Sequence, residues 1–360
     1  MSGAAEPVRV MVCDDSATAR AALARVLEAD PGIRVVARVG DGRQAMAALE
    51  GMPPGQRPHV VLLDLEMPVM DGMTALPLLL RGEPRPAVIV ASALTQRGAS
   101  VTMAALRAGA ADYIPKPGAA GGGLADPAFR AELVAKVKGW ARMRRPPART
   151  PPPRPVPSPL PGLRTPRAVG IGCSTGGPQA LASLVRGLTR PLAVPLLVVQ
   201  HMPAGFTAML ADHLNRLGGP PCAEARDGEA LRPGRLYLAP GDRHLLAEAA
   251  AGGLVARLLD GPPENFCRPA VDPMLRSLAA ACAGPVLAVI MTGMGQDGLA
   301  GCRAVAAAGG TVLAQDEASS VVWGMPGAVS RAGLARVLLP PEALAEQILA
   351  VAGTRAGAVA

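Results

Sequence analysis

Aromatic side chains are scarce: 2 Trp, 2 Tyr and 3 Phe in 360 residues. A core of stacked rings is therefore excluded, and Val, Leu, Ile, Ala and Met must fill the interior of a chain that is half apolar, as they do in parallel α/β layers. Cysteine is also thinly spread. Cys13, Cys173, Cys222, Cys267, Cys282 and Cys302 include no CxxC pair and no histidine at ligand spacing, so buried reduced thiols are expected rather than a zinc site or a disulfide framework. No apolar run nears the ~18 residues of a membrane span, and the opening MSGAAEPVRVMVCDDS lacks the basic and apolar stretches of a signal peptide. A cytoplasmic protein without stable membrane insertion is the expectation.

The formal net charge of +8 is a local matter. Residues 130 to 167 hold ten Lys or Arg against the single Glu132, which leaves the rest of the chain near −1 and gives no folded basic face for nucleic acid. Within that stretch, ten of the 21 residues from 146 to 166 are proline, a density that excludes helix and sheet. This divides the chain into an expected domain at 7–142, a Pro/Arg-rich linker at 143–166 and a second domain at 167–353. The linker reads either as an extended charged spacer or as a docking strip for acidic helices or an anionic membrane.

The first segment alternates apolar strand-like stretches with helical ones in five repeats, the pattern of a parallel sheet covered on both faces. Asp14 and Asp15 follow the first strand, and Asp64 ends the third, Ser92 the fourth and Lys116 the fifth. All fall at the carboxyl edge, where crossovers leave a ligand crevice. Converging carboxylates repel one another unless a cation joins them, and Mg²⁺ suits such hard oxygen donors. Asp64 is then placed to attack a phosphoryl group, with Lys116 and the Ser92 hydroxyl meeting the new phosphate oxygens. The stretches VCDDSATAR, LLDLEMPVMDG, VIVASAL and DYIPKP resemble the receiver domain of two-component response regulators. The resemblance implies a flavodoxin-like fold, Asp64 as phosphoacceptor, Mg²⁺ on Asp14, Asp15 and Asp64, and Ser92 with Tyr113 as a switch pair.

The second segment repeats the α/β theme, with strands expected at AVGIGC, VPLLVVQ, RLYLAP, VLAVIMTG, TVLAQ and RVLLP. The first runs into VGIGCSTGGPQALASLV, a glycine-rich turn before a helix. As a dinucleotide fingerprint it is one residue too long, and about 20 residues on stand Thr189, Arg190 and Pro191 in place of the acidic residue that grips a ribose. As a nucleophile elbow, Gly172 to Gly176 fits G-x-S-x-G around Ser174. Cys173 should point into the core instead. For a base, His201 directly follows the next strand, whereas His213 lies in a helical stretch; His244, with Asp227 or Asp242, is the rival that an α/β-hydrolase order would accept. Asp297, after the strand VLAVIMTG, is the candidate acid, a role that also allows it to cap the following helix.

The stretches VGIGCSTGGPQAL, VVQHMP, YLAPGDRHL, NFCRPAVD, MTGMGQDG and EASSVVWGMPGAV resemble the catalytic domain of the chemotaxis protein-glutamate methylesterases, which also deamidate protein glutamine. By that resemblance the fold is doubly wound and mostly parallel, with Ser174 as nucleophile, His201 as base and Asp297 as its orienting acid. Backbone near Thr175 and Met294 flanks the oxyanion, and no cofactor is needed in this domain. The implied substrate is the cytoplasmic helices of a methyl-accepting chemoreceptor, and the implied phosphodonor is a chemotaxis histidine kinase. The competing class is a receiver-controlled regulator whose second domain binds a partner without catalysis.

Overall fold

Strands that are apolar on both faces cannot remain at a surface, so they align side by side and are covered above and below by the amphipathic helices that connect them. The computed structural model describes residues 6–93, 95–116, 123–144, 160, 164–282 and 284–353. The chain divides into two units, 1–150 and 151–360. Most of the expected linker, 145–159 and 161–163, lies outside the described residues.

The first unit runs β1 (Val8–Cys13), α1 (Ala17–Glu28), β2 (Ile33–Val39), α2 (Gly42–Gly51), β3 (Val60–Asp64), α3 (Gly72–Leu79), β4 (Ala87–Ser92), α4 (Gln96–Arg107), β5 (Asp112–Pro115) and α5 (Pro127–Arg144). Its strands lie in the order β2-β1-β3-β4-β5, the flavodoxin-like arrangement, and every pair is parallel. Helix starts follow local chemistry. Ser16, Asp41, Asp71 and Thr95 each accept a backbone N–H of the first turn of α1 to α4 in turn, satisfying a donor that the helix leaves unpaired. Cys13 pairs with Leu63 and Asp64 with Ala91, so the residues that end or follow β1, β3 and β4 emerge at one height.

The second unit contains β6 (Ala168–Cys173), α6 (Gly177–Gly187), β7 (Leu196–Gln200), α7 (Phe206–Asn215), β8 (Cys222–Glu224), β9 (Leu236–Leu238), β10 (His244–Ala250) and β11 (Gly253–Leu259). It continues through α8 (Val271–Ala281), β12 (Val286–Ile290), α9 (Leu299–Ala307), β13 (Thr311–Gln315), α10 (Met325–Arg331), β14 (Leu338–Leu339) and α11 (Pro341–Ala352). Seven parallel strands lie in the order β14-β13-β12-β6-β7-β9-β8. The winding reverses between β6 and β12, which opens a crevice at their carboxyl ends.

Two glycines bring a helix down onto that crevice. A Cβ on Gly172 would stand 2.5 Å from Val271 Cγ1, and one on Gly170 would stand 2.6 Å from Leu275 Cδ2, so α8 lies directly on the backbone of β6. Val271, Met274, Leu275 and Leu278 of α8 are fully buried in the core that also holds Val199, Ala288 and Ile290.

The antiparallel pair β10–β11 departs from the helical patterns expected between the strands of this segment. Its Ala- and Leu-rich sequence has helix-forming composition, but Gly252 and Gly253 permit a two-residue turn that joins Ala250 to its partner Gly253.

In the first unit, Val69 is 74% exposed and has φ 65, a left-handed conformation that a β-branched side chain resists. Val69→Asn should therefore raise the urea unfolding midpoint, with a gain of about 1 kcal/mol.

Candidate functional site

Two clusters stand at carboxyl edges. In the first unit, Asp14 and Asp64 are buried and Asp15 is exposed, and each offers a carboxylate oxygen within 4.8 Å of the others. Lys116 Nζ donates to Asp64 Oδ2 at 2.5 Å and lies 3.4 Å from Asp14 Oδ2. Burial raises the Asp64 pKa above the ordinary carboxylate value, although the Lys116 bond and charge oppose it. Burial depresses Lys116 in turn, but Asp64 and Asp14 outweigh it and the ammonium is held above its usual range. Three hard oxygen donors with one balancing ammonium form a donor set suited to a small divalent cation.

The two expected switch residues are not joined by a hydrogen bond. The Ser92 hydroxyl donates to the Gly98 carbonyl at 3.1 Å, toward the start of α4. The Tyr113 ring is buried beneath Lys136, whose Nζ stands 5.0 Å from the ring centroid and 3.6 Å from Asp112 Oδ1. Lys136 was not anticipated. Its place on α5, opposite β5, has no counterpart in the motifs at the strand ends.

In the second unit, β6 ends at Cys173, and Ser174 opens the turn into α6. Gly176 has φ 74, and a Cβ there would stand 2.5 Å from Val321 Cγ2, so the sharp turn depends on glycine at this place. Cys173 is fully buried with Sγ 3.6 Å from the Val199 carbonyl, and burial raises its thiol pKa far out of the reactive range. Ser174 is half-buried. Because Cys173 pairs with Gln200, Ser174 and His201 leave adjacent strands at the same level, and Gln200 Nε2 donates to both their carbonyls at 2.9 and 3.0 Å. From the other side, a Cβ on Gly293 would stand 2.8 Å from Ser174 Cβ, so the loop after β12 touches the elbow.

His201 Nε2 lies 2.8 Å from Asp297 Oδ2. An ionised carboxylate only accepts, so Nε2 donates to Asp297 in either protonation state, and in the neutral ring it is Nδ1 that carries the lone pair. Cys267 Sγ lies 3.4 Å from that Nδ1, and no hydrogen bond joins the Ser174 hydroxyl to the ring in this arrangement. Burial disfavours the imidazolium, but the Asp297 bond and charge, with Cys267, outweigh it and push the His201 pKa up to about 10. Burial likewise opposes the Asp297 carboxylate, yet His201 and two backbone N–H donors bring its pKa below the ordinary value.

Asp297 is the centre of the site. Its oxygens accept Val271 N at 2.6 Å, Asp272 N at 3.1 Å, Gly298 N at 2.9 Å and Asn265 Nδ2 at 3.0 Å, in addition to the imidazole. The expected cap at α9 is thus made elsewhere: Asp297 caps α8, while Asp272, in the first turn of α8, accepts Gly301 N of α9 at 2.6 Å. Asn265 Nδ2 also donates to Asp272 Oδ2 at 2.9 Å and so bridges the two carboxylates. Asn265, Cys267 and Asp272 were not singled out from the sequence. They lie in or beside NFCRPAVD, whose one polar signal, an acid entering a helix, reads as an ordinary first-turn residue.

The backbone N–H groups of Thr175 and Met294 have no hydrogen-bond partner among the described residues. The rival base is otherwise engaged. His244 is buried, its Nε2 lies 2.9 Å from the Pro262 carbonyl and its Nδ1 accepts Ala270 N at 3.2 Å. Asp227 accepts Leu258 N of β11 at 2.9 Å, Asp242 has φ 65 in a turn, and His213 is half-buried on α7.

Residues 169–348 match the CheB methylesterase family and residues 10–122 match the response regulator receiver domain. The chain is 48% identical to a protein-glutamate methylesterase/protein-glutamine glutaminase of Paramagnetospirillum magneticum over 98% of each chain. It is 52% identical to one from Azospirillum brasilense over 93% of this chain and 90% of that one. Among solved structures it is similar to the catalytic domain of Thermotoga maritima CheB methylesterase, with TM-score 0.50 and 41% identity, covering 51% of this chain and 98% of that one.

The His201–Asp297 pair makes stability depend on pH. A histidine raised from 6.5 to about 10 contributes fully below pH 6.5, and the contribution is lost as pH rises through about 10. Urea midpoints measured from pH 6 to 10 should fall for the wild type. Asp297→Asn should flatten this slope and cost about 3 kcal/mol at pH 6, where the pair is fully charged.

Proposed function

The chain belongs to the protein-glutamate methylesterase/protein-glutamine glutaminase family, and from that membership we propose that it hydrolyses glutamyl γ-methyl esters and glutamine amides on the cytoplasmic helices of a chemoreceptor. In this reading the receiver domain brings the activity under phosphorylation, with a chemotaxis histidine kinase as the phosphodonor. The observation that carries the catalytic assignment is the hydrogen bond from His201 Nε2 to Asp297, beside the turn that presents Ser174.

In this reading Ser174 is the nucleophile, His201 the base and Asp297 the residue that fixes the imidazole. Substrate entry replaces the Cys267 contact at Nδ1 with the Ser174 hydroxyl, since catalytic hydrogen bonds commonly tighten only when substrate is bound. Nδ1 takes the serine proton as Oγ bonds to the ester carbonyl carbon. The unpartnered N–H groups of Thr175 and Met294 supply donors for the oxyanion. Collapse breaks the ester C–O bond, and the imidazolium returns its proton to the departing methoxide, giving methanol. Water then adds through the same base, the serine ester breaks, and glutamate and free Ser174 result. An amide follows the same path with ammonia leaving, so deamidation requires no second site.

In the receiver, Asp64 is the phosphoacceptor. Asp14, Asp15 and Asp64 would hold Mg²⁺, which would supply charge neutralisation for an incoming phosphoryl group. Lys116, already on Asp64, turns to the new phosphate oxygens, and Ser92 reaches them by exchanging its bond to the Gly98 carbonyl. Tyr113 follows Ser92 as the switch partner, which requires it to leave the underside of Lys136. Such a switch acts by changing the relative stability of two arrangements, and the phosphate supplies that difference. A substrate of this kind makes the cytoplasm the proposed site of action; no helix among the described residues is long and apolar enough to cross a membrane.

Ser174→Ala should lower methanol release from methylated receptor by more than about a thousandfold while Asp64 still accepts phosphate from acetyl phosphate; near-normal release overturns the nucleophile. Wild-type release should rise with acetyl phosphate and that of Asp64→Asn should not. It should also climb with pH above neutrality, because only the neutral imidazole serves as base and the pair with Asp297 favours the charged form.

A further inference from the structure

Glu264 and Cys267 exchange backbone hydrogen bonds of 3.1 and 2.8 Å, which closes a two-residue turn over Asn265 and Phe266. Both residues have positive φ, 51 and 63. A turn with two left-handed residues favours Asn followed by Gly, and here the second position holds phenylalanine. The three side chains divide by direction. Asn265 reaches Asp297 and Asp272, Cys267 reaches His201, and Phe266 between them is 101% exposed. No burial in the folded chain offsets the backbone cost of this residue.

The charges beside it are tied up internally. Glu264 accepts Arg276 at 2.6 Å, and Arg268 Nη1 donates to the Gly261 carbonyl at 2.8 Å. The turn therefore presents an apolar ring whose neighbouring charges are already engaged. The side chain of Met294, 38% exposed on the loop that touches Ser174, is a second exposed apolar group beside the residues of the site.

We propose that Phe266, with Met294, grips an apolar side chain of the substrate polypeptide next to the modified glutamyl residue, and so selects which residues are hydrolysed. The proposal rests on the methylesterase reading. Its occupant is argued from continuity with the site: Phe266 is the immediate neighbour of two residues that touch His201 and Asp297, which puts it within the flank of a polypeptide that delivers an ester to Ser174. A free glutamate γ-methyl ester offers no such flank.

The test compares the full chain with Phe266→Ala, Phe266→Gly and Phe266→Leu on two substrates, methylated receptor cytoplasmic fragment and free glutamate γ-methyl ester. The ratio of kcat/KM between them should fall about tenfold in the Ala and Gly variants, carried by KM for receptor, which is the scale expected for losing a buried ring contact. Phe266→Leu should stay within about threefold of the wild-type ratio, because an apolar group of similar reach remains. Phe266→Gly should also raise the thermal midpoint. An unchanged ratio, with both substrates losing equally, means that the turn only positions His201 and Asp297 and overturns the proposal; a lowered midpoint for Phe266→Gly overturns it as well. Absence of methanol release from receptor by the wild type overturns the activity itself, whereas wild-type release matched by Phe266→Ala overturns the grip alone.

Discussion

The second unit depends on one buried carboxylate and the donors that surround it. Asp297 is held by three backbone N–H groups, an amide and an imidazole, drawn from four separate parts of the chain. A charge removed from water is tolerable only with such a complement of partners. The same bonds that satisfy it fix the imidazole of His201, which leaves its strand at the level of Ser174. Glycines at 170 and 172 are part of this arrangement, because they allow α8 close enough to β6 for its first N–H groups to reach Asp297.

Both units place their reactive groups at the carboxyl edge of a parallel sheet, yet the electrostatics differ. The receiver gathers acids around a lysine, which creates a place for a cation and a phosphoryl group. The second unit keeps Asp272 and Asp297 buried and bonded, with the half-buried Ser174 at the end of the strand next to that of His201.

Residues that end or directly follow a strand were legible in the sequence. In a parallel sheet the connectivity brings Asp14, Asp64 and Lys116 together, and likewise Ser174, His201 and Asp297, as soon as the strands are recognised. What stayed hidden was contributed from elsewhere. Asn265 and Cys267 come from a turn whose position depends on the β10–β11 hairpin, and that hairpin has the composition of a helix. Asp272 looks like a routine helix-start acid until the fold shows that it caps a different helix from the one it begins. The Lys136 contact with Tyr113 joins α5 to β5 across the layer, a packing relation that no local spacing encodes.

The reciprocal capping of α8 and α9 also couples integrity to competence. Each helix lends an acid from its own beginning to the other, and one of those acids bonds the His201 ring, so fraying at either end disturbs both helices and the imidazole together. Under the roles proposed for these residues, heating should then remove activity in step with the cooperative melting of this unit.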